Sequence, residues 1–331
     1  MSENGKPKFA MYWAASCGGC EIAVLNIGEK ILDVDANFEV VFWPVAMDAK
    51  YKDVESLPDK SITLTLFNGS IRNEENENIA KLLRRKSVIM VAFGSCATEG
   101  CIPGLANLSS QEQIFEAAYE SISTENPHHI RPQYEFGMPE GVINIPKFYP
   151  YVRTLDQVVE VDYFMPGCPP ESHQIAAVVE LVIKALHGEV ELPPKGSIIG
   201  AGSSTVCEEC GRRRHVKSIK KFVRIHEVEN VDPELCLLEQ GIICSGPATR
   251  SGCGALCPSA GAACIGCYGP AEGVVDYGAR LMTAVASVVD SNDPHEIEAI
   301  LDGIVDPAGT FYRFSLPHSL LQAAKPAWTG D

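Results

Sequence analysis

The residues of this chain best suited to distinctive chemistry are its thirteen cysteines, most of which fall into short-spaced groups. Cys17-x-x-Cys20 lies near the start, and Cys96 and Cys168 each follow a glycine-bearing turn, Gly94-Ser95 and Pro166-Gly167. The other eight crowd the second half. Cys207-x-x-Cys210 with Cys236 and Cys244 makes one set of four, and Cys253-x-x-x-Cys257 with Cys264-x-x-Cys267 makes another. Thiolates are soft ligands that select zinc or iron–sulfur clusters. A small secreted protein would use them for disulfides. Here the chain is long, the cysteine count is odd and no export signal is visible, so metal ligation is the expectation. Iron–sulfur clusters usually take four thiolates, often including CxxC pairs, but paired CxxC units also build zinc ribbons. Spacing alone leaves both metals open, and it leaves open the exchange of a ligand between the two later sets.

The elements that must position these thiols alternate in the first half. Apolar runs at Phe9–Ala14, Phe38–Trp43, Ile62–Phe67, Val88–Phe93 and Val158–Phe164 read as strands. Helices are expected over Glu21–Val34, with a stripe of Ile22, Leu25, Ile31 and Leu32, over Glu74–Arg85, and over Glu171–His187. A Pro-rich insertion spans about Pro127 to Pro150. Strands alternating with helices imply an α/β fold with a doubly wound parallel sheet. Cys17, Cys20, Cys96 and Cys168 then all lie just past the carboxyl ends of strands. Those ends line one edge of such a sheet, where ligands bind at the switch in strand order, so four distant thiols could meet on one cluster. The alternative is a scatter of buried free cysteines. Gly18, Gly19, Gly94 and Gly167 would let backbone amides approach inorganic sulfur. Cys20 and Cys168 each precede an expected helix whose amides favour an anion, and Pro169 and Pro170 suit its first turn.

Leu192-Pro193-Pro194-Lys195-Gly196 marks the expected boundary between a first domain, 1–190, and a second, 197–331. Beyond it the chain is rich in Gly and Cys, with one clear helix, Asp276–Val289, whose stripe is Tyr277, Leu281, Val285 and Val288. An irregular domain of this kind can draw its stability from metal clusters, because binding energy to a site absent in the unfolded chain is folding energy. The formal net charge of −16 argues against nucleic acid or an anionic membrane as a partner. No run approaches the roughly 20 apolar residues that span a bilayer. The sequence from Met1 to Lys8 has neither a signal-type apolar core nor a twin-arginine run, so a cytoplasmic location is expected.

Taken in order, the motifs resemble the small subunits of nickel–iron hydrogenases, nearest to the cytoplasmic methyl-viologen-reducing type linked to heterodisulfide reductase. They are Ser16-Cys17-Gly18-Gly19-Cys20, Gly69-Ser70-Ile71-Arg72-Asn73-Glu74-Glu75-Asn76, Gly94-Ser95-Cys96-Ala97, Ile102-Pro103-Gly104-Leu105-Ala106-Asn107 and Pro166-Gly167-Cys168-Pro169-Pro170. The second half adds Cys236-Leu237-Leu238-Glu239-Gln240-Gly241, Gly246-Pro247-Ala248-Thr249-Arg250 and Cys264-Ile265-Gly266-Cys267-Tyr268-Gly269-Pro270. The resemblance implies a flavodoxin-like first domain with a proximal 4Fe-4S cluster on Cys17, Cys20, Cys96 and Cys168. It implies a medial 4Fe-4S cluster on Cys253, Cys257, Cys264 and Cys267, and a distal one on Cys207, Cys210, Cys236 and Cys244. Many periplasmic relatives have histidine in place of Cys207 and proline in place of Cys257. Family nickel–iron centres use four cysteines of a large subunit, and here only Cys101 remains after twelve ligands. Hydrogen chemistry is therefore implied on the partner, with this chain relaying electrons outward. The implied acceptor is heterodisulfide reductase through a 2Fe-2S adaptor, or a ferredoxin-linked or flavin-bifurcating module. The alternative is an iron–sulfur adaptor of another redox complex, such as a complex-I-like subunit, without hydrogenase activity.

Cys101 stands where the family commonly has glycine. Oxygen-tolerant relatives carry extra cysteines there and at the position of Gly19, so half the pair implies an ordinary cubane beside a free thiol. Glu21 follows a ligand and is a candidate proton relay; the alternative is an exposed residue in a first helical turn. Arg72 and Glu74 either position the proximal loop or the partner subunit, or form a plain salt bridge in the turn. Arg212-Arg213-Arg214-His215 with Lys217, Lys220 and Lys221 is a basic run in an acidic chain, either a solvated surface or a docking patch for an acidic acceptor.

Overall fold

The structure, a computed structural model, describes residues 5–215 and 218–323; the residues Met1 to Asn4 of the N-terminal reading, and Lys217 of the basic run, lie outside them. The strands in chain order are β1 (Lys8–Trp13), β2 (Glu39–Phe42), β3 (Ile62–Asn68), β4 (Ile71–Asn73) and β5 (Ser87–Phe93). They continue with β6 (Glu135–Met138), β7 (Gly141–Asn144), β8 (Phe148–Arg153), β9 (Tyr163–Met165) and β10 (Ser197–Ile198). Six of them form a parallel sheet in the order β10-β9-β5-β3-β1-β2, which is the doubly wound α/β, flavodoxin-like arrangement expected. β1 shows why: its side chains alternate faces. Phe9 and Met11 pack with Val24, Phe93 and Ile175 on one side, while Ala10 and Tyr12 pack with Phe42, Phe67 and Leu83 on the other.

The Glu74–Lys86 helix begins on Asn73, whose side chain accepts the Asn76 amide at 2.9 Å. Acidic residues fill its first turn and Arg84, Arg85 and Lys86 its last, matching the helix dipole. The helix expected over 21–34 is instead two, Gly19–Leu25 and Ile31–Asn37, parted near Gly28 at φ +66°. Its stripe is also displaced. Ala23, Val24 and Val34 are buried, whereas Ile22, Leu25 and Leu32 face outward. The strand expected over 158–164 is shortened to β9, and Pro169 and Pro170 precede the Ser172–Leu186 helix instead of entering it. The Pro-rich insertion holds structure that composition hid. β6 and β7 form a hairpin, and β8 pairs with β4.

A separate apolar cluster lies wholly between Val206 and Leu316, where the Tyr277–Ala286 helix buries the expected stripe. Helices at Pro294–Leu301 and Pro307–Phe311 were not expected. Each starts at an Asp-Pro pair, with Asp293 or Asp306 capping the helix and proline in its first turn, a signal the sequence carried. β10 joins the sheet from beyond the Pro-rich break at 192–196.

Asp162 locks the sheet's edge. Its side chain is fully buried and pairs with Arg84 at 2.6 Å and Lys195 at 2.5 Å, and it accepts the Met90 amide at 2.8 Å. Burial alone would raise this carboxyl, but Lys195, Arg84 and the Met90 amide hold it below the ordinary range. A depressed carboxyl stabilises the fold above its unfolded-state pKa, about 3.9, and that contribution vanishes as pH falls through the folded value. Asp162→Ala is therefore expected to cost about 3 kcal/mol in denaturant unfolding at pH 7, with the gap from the parent chain closing under strong acid. An equal gap at both pH values would contradict this account.

Candidate metal centres

At the carboxyl edge of the sheet, the turns after β1, β5 and β9 bring four thiols together. Cys17 is exposed in the first turn and Cys20 sits in the Gly19–Leu25 helix; Cys96 sits in the Ser95–Glu99 helix and Cys168 follows β9. Burial pushes the Cys20 thiol far above its usual range, and the nearby Cys96, Cys168 and Cys17 push it further. The turns are stitched to one another. The Gly94 amide donates to Met165 at 2.8 Å, the Ser95 amide to the Gly167 carbonyl at 2.8 Å, and the Gly167 amide to Ser95 Oγ at 3.0 Å. Ser95 was not singled out from sequence, although it sits inside the Gly94-Ser95-Cys96 motif. Gly94 has φ +81°, and a Cβ there would stand 2.4 Å from Cys20 Sγ. Only glycine fits without pushing that sulfur aside.

The second half brings two further groups together. Cys207, Cys210, Cys236 and Cys244 line a cavity of about 450 Å³. Burial and the thiols of Cys244, Cys236 and Cys210 push Cys207 up to about 12, against a downward pull from Arg214. Cys267 is likewise pushed up to about 12 by burial, with Cys253, Cys168 and Cys257 as its thiol neighbours. Burial raises Cys264, which lies near Cys244 and Cys267.

The groups adjoin in series. Ser95 Oγ donates to the Cys267 carbonyl, and the Ser245 amide donates to the Cys264 carbonyl at 2.8 Å. Tyr268 fastens the first junction, since its hydroxyl accepts the Glu171 amide at 3.0 Å and donates to Gln174, whose Nε2 reaches the Gly252 carbonyl at 2.6 Å.

Such a donor set suits clusters more than single ions. Among the described residues, no three His, Cys, Asp or Glu side chains are arranged to hold one metal ion. A zinc site needs all its sulfurs within about 2.3 Å of one centre, whereas a cubane spreads its thiolates over separate irons. Glycines also leave room beside the sulfurs: a Cβ on Gly246 would stand 3.1 Å from Cys207 Sγ and 3.7 Å from Cys244 Sγ.

Cys101 is buried, with its sulfur 3.6 Å from Cys168 Sγ. It holds φ +50°, a conformation glycine adopts freely, and its amide donates to the Phe314 carbonyl at 2.9 Å. The exposed alternative for Glu21 does not hold. Its carboxylate is 4% exposed and burial pushes it up to about 7, with the Trp43 indole offsetting this only in part. Arg72 donates to the Tyr149 carbonyl at 3.0 Å and lies over the Phe148 ring, so it clamps β8 instead of pairing with Glu74. The basic run is divided: Arg212 is tied to the carbonyls of Pro258, Asp232 and Leu235, Arg213 pairs with Glu234, and Arg214 faces the cavity. No helix among the described residues is long and apolar enough to cross a membrane.

A family model described as NADH ubiquinone oxidoreductase, 20 Kd subunit, matches residues 17–182. The F420-non-reducing hydrogenase iron-sulfur subunit of Archaeoglobus profundus is 41% identical over 95% of this chain and 97% of its own length. A second F420-non-reducing hydrogenase subunit, from Methanothermobacter marburgensis, is 38% identical over 96% of each chain. Among solved structures, a recombinant NiFeSe hydrogenase chain from Desulfovibrio vulgaris Hildenborough aligns over 81% of this chain and 95% of its own, with a TM-score of 0.51. At 17% identity, that likeness is one of fold.

Gly94→Ala puts a methyl group against Cys20 Sγ in a backbone conformation that penalises it. The variant is expected to fold but to hold on the order of four fewer irons per chain, measured by metal analysis alongside circular dichroism. A full iron complement would show that this turn does not shape a metal site.

Proposed function

The chain belongs to the family of F420-non-reducing hydrogenase small subunits, those of the methyl-viologen-reducing type, and from there we propose that it relays electrons between a partner's hydrogen-activating centre and an outside acceptor. In this reading Cys17, Cys20, Cys96 and Cys168 hold a proximal 4Fe-4S cluster in a unit of residues 1–190. Cys253, Cys257, Cys264 and Cys267 hold a medial one, and Cys207, Cys210, Cys236 and Cys244 a distal one, in a unit of residues 197–331. Bound clusters supply one-electron redox chemistry at potentials set by burial and hydrogen bonding.

The observation that carries the proposal is the pair of hydrogen bonds between neighbouring thiol groups, from Ser95 Oγ to the Cys267 carbonyl and from the Ser245 amide to the Cys264 carbonyl at 2.8 Å. They set the first group beside the second and the second beside the third. The chain's own residues fix that order: Ser95 bonds the turns of the first group, and Tyr268 with Gln174 bonds the first group to the second. Twelve ligands leave only Cys101, which is too few thiols for a nickel–iron site held by four cysteines, so hydrogen is activated on the large subunit. Trp13, Ile22 and Leu25, on the strand and helix that flank Cys17, expose apolar surface, as a face covered by that subunit would. The eight later cysteines lie outside the 17–182 match, which favours this reading over a complex-I-like adaptor. The acceptor is proposed to be heterodisulfide reductase through a 2Fe-2S adaptor, or another ferredoxin-linked or bifurcating module, in the cytoplasm.

Anaerobically purified protein is expected to contain about twelve irons and twelve labile sulfides per chain. Cys244→Ser should slow hydrogen-dependent reduction of methyl viologen by about tenfold or more, while hydrogen–deuterium exchange on the partner persists. Parallel loss of both activities, or of neither, would contradict a relay that ends at this group.

A further inference from the structure

The cavity at Cys207, Cys210, Cys236 and Cys244 has a charged wall that ligation does not require. Arg280, Thr283, Ala284 and Ser287 recur at a spacing that gives them one helix face, and all four line the cavity. Among the described residues, no hydrogen bond or ion pair holds the Arg280 guanidinium. Arg214 lines the same space and touches the Cys207 carbonyl at 3.4 Å. Arg212 completes the cations, tied to three carbonyls as described above. The carboxylates of this wall are Glu208 and Glu239, and Glu239 accepts the His215 amide at 2.9 Å. Three guanidiniums against two carboxylates leave the wall positive. Beside the second group, Glu209 adjoins Cys253 while accepting the Gly252 and Gly254 amides at 2.8 and 3.1 Å.

We propose that Arg214 and Arg280 raise the reduction potential of the cluster held by Cys207, Cys210, Cys236 and Cys244, so that charge along the chain draws electrons toward its outer end. The inference rests on the three-cluster reading above. Reduction adds one negative charge to a cluster, and a nearby cation stabilises the reduced form more than the oxidised one. Arg280 is free to turn within the cavity it lines, and Arg214 sits against the carbonyl of Cys207, a proposed ligand. Both arginines are exposed, so their influence is screened by salt.

The test is a potentiometric titration, followed by electron paramagnetic resonance, of the anaerobic complex of this chain with its large subunit at low, constant ionic strength. Iron is counted in every sample. Arg214→Gln and Arg280→Gln are each expected to shift one couple to more negative potential by about tenfold in its oxidised-to-reduced ratio, which is about 59 mV for one electron. The double variant should shift it further, Arg280→Lys should restore most of the loss, and the other two couples should stay in place. Unmoved potentials at full iron content would overturn the inference and leave the cluster reading intact. Loss of iron in the Gln variants would also overturn it, by making the arginines structural supports. A parent complex that shows no third couple would overturn the cluster reading itself.

Discussion

Burial of sulfur is the constraint on which the rest of the molecule depends. Cys20, Cys207, Cys264 and Cys267 lie where desolvation pushes each thiol well above its ordinary range. In an empty fold none of them would ionise near neutral pH, yet only the thiolate is a metal ligand. On the three-cluster reading, metal supplies the free energy that draws off those protons, and loading strengthens as pH rises. That coupling would let a stretch with so little regular structure as 199–275 hold a fixed shape, with the apolar cluster around Phe222, Leu237 and Leu281 packed among the cysteines.

The second consequence concerns order. A parallel sheet delivers the carboxyl ends of β1, β5 and β9 to one edge, and so fixes the first thiol group without help from the later residues. The second group is then set by contact with the first, through Ser95 Oγ, which donates to the Cys267 carbonyl, and through Tyr268, whose hydroxyl accepts the Glu171 amide. The C-terminal segment closes the junction from the other side. Phe314 accepts the Cys101 amide, and Pro317 packs its ring where Gly100 and Gly104 leave room for no side chain. Fold and thiol order are in this sense one arrangement: the contacts that hold the two halves together are those that bring one group of sulfurs beside the next.

Much of this was legible in the sequence because period and punctuation carry it. The runs at Phe9–Ala14, Ile62–Phe67 and Val88–Phe93 are buried strands bounded by turns, and cysteines placed just beyond strands point to one sheet edge. What misled was local. Ile22, Leu25 and Leu32 have helical spacing, but spacing does not say whether an apolar face meets the chain's own core or another protein. Here they face outward. Proline content disguised β6, β7 and β8 as loop, since an antiparallel hairpin needs only a few residues between prolines. The roles of Gln174 and Tyr268 depend on partners 78 to 97 residues away, and no window of sequence displays such pairs. The outward-reaching arginine run was divided by carbonyls that fold back on Arg212, which composition cannot foresee.

Everything turns on whether iron sits where these thiols converge. The most direct measurement is anomalous diffraction at the iron edge from crystals of the complex grown without air. Three compact iron groups are expected in this chain, beside Cys17/Cys20/Cys96/Cys168, Cys253/Cys257/Cys264/Cys267 and Cys207/Cys210/Cys236/Cys244. A single scatterer at any of the three, or a signal at the zinc edge instead of the iron edge, would contradict it.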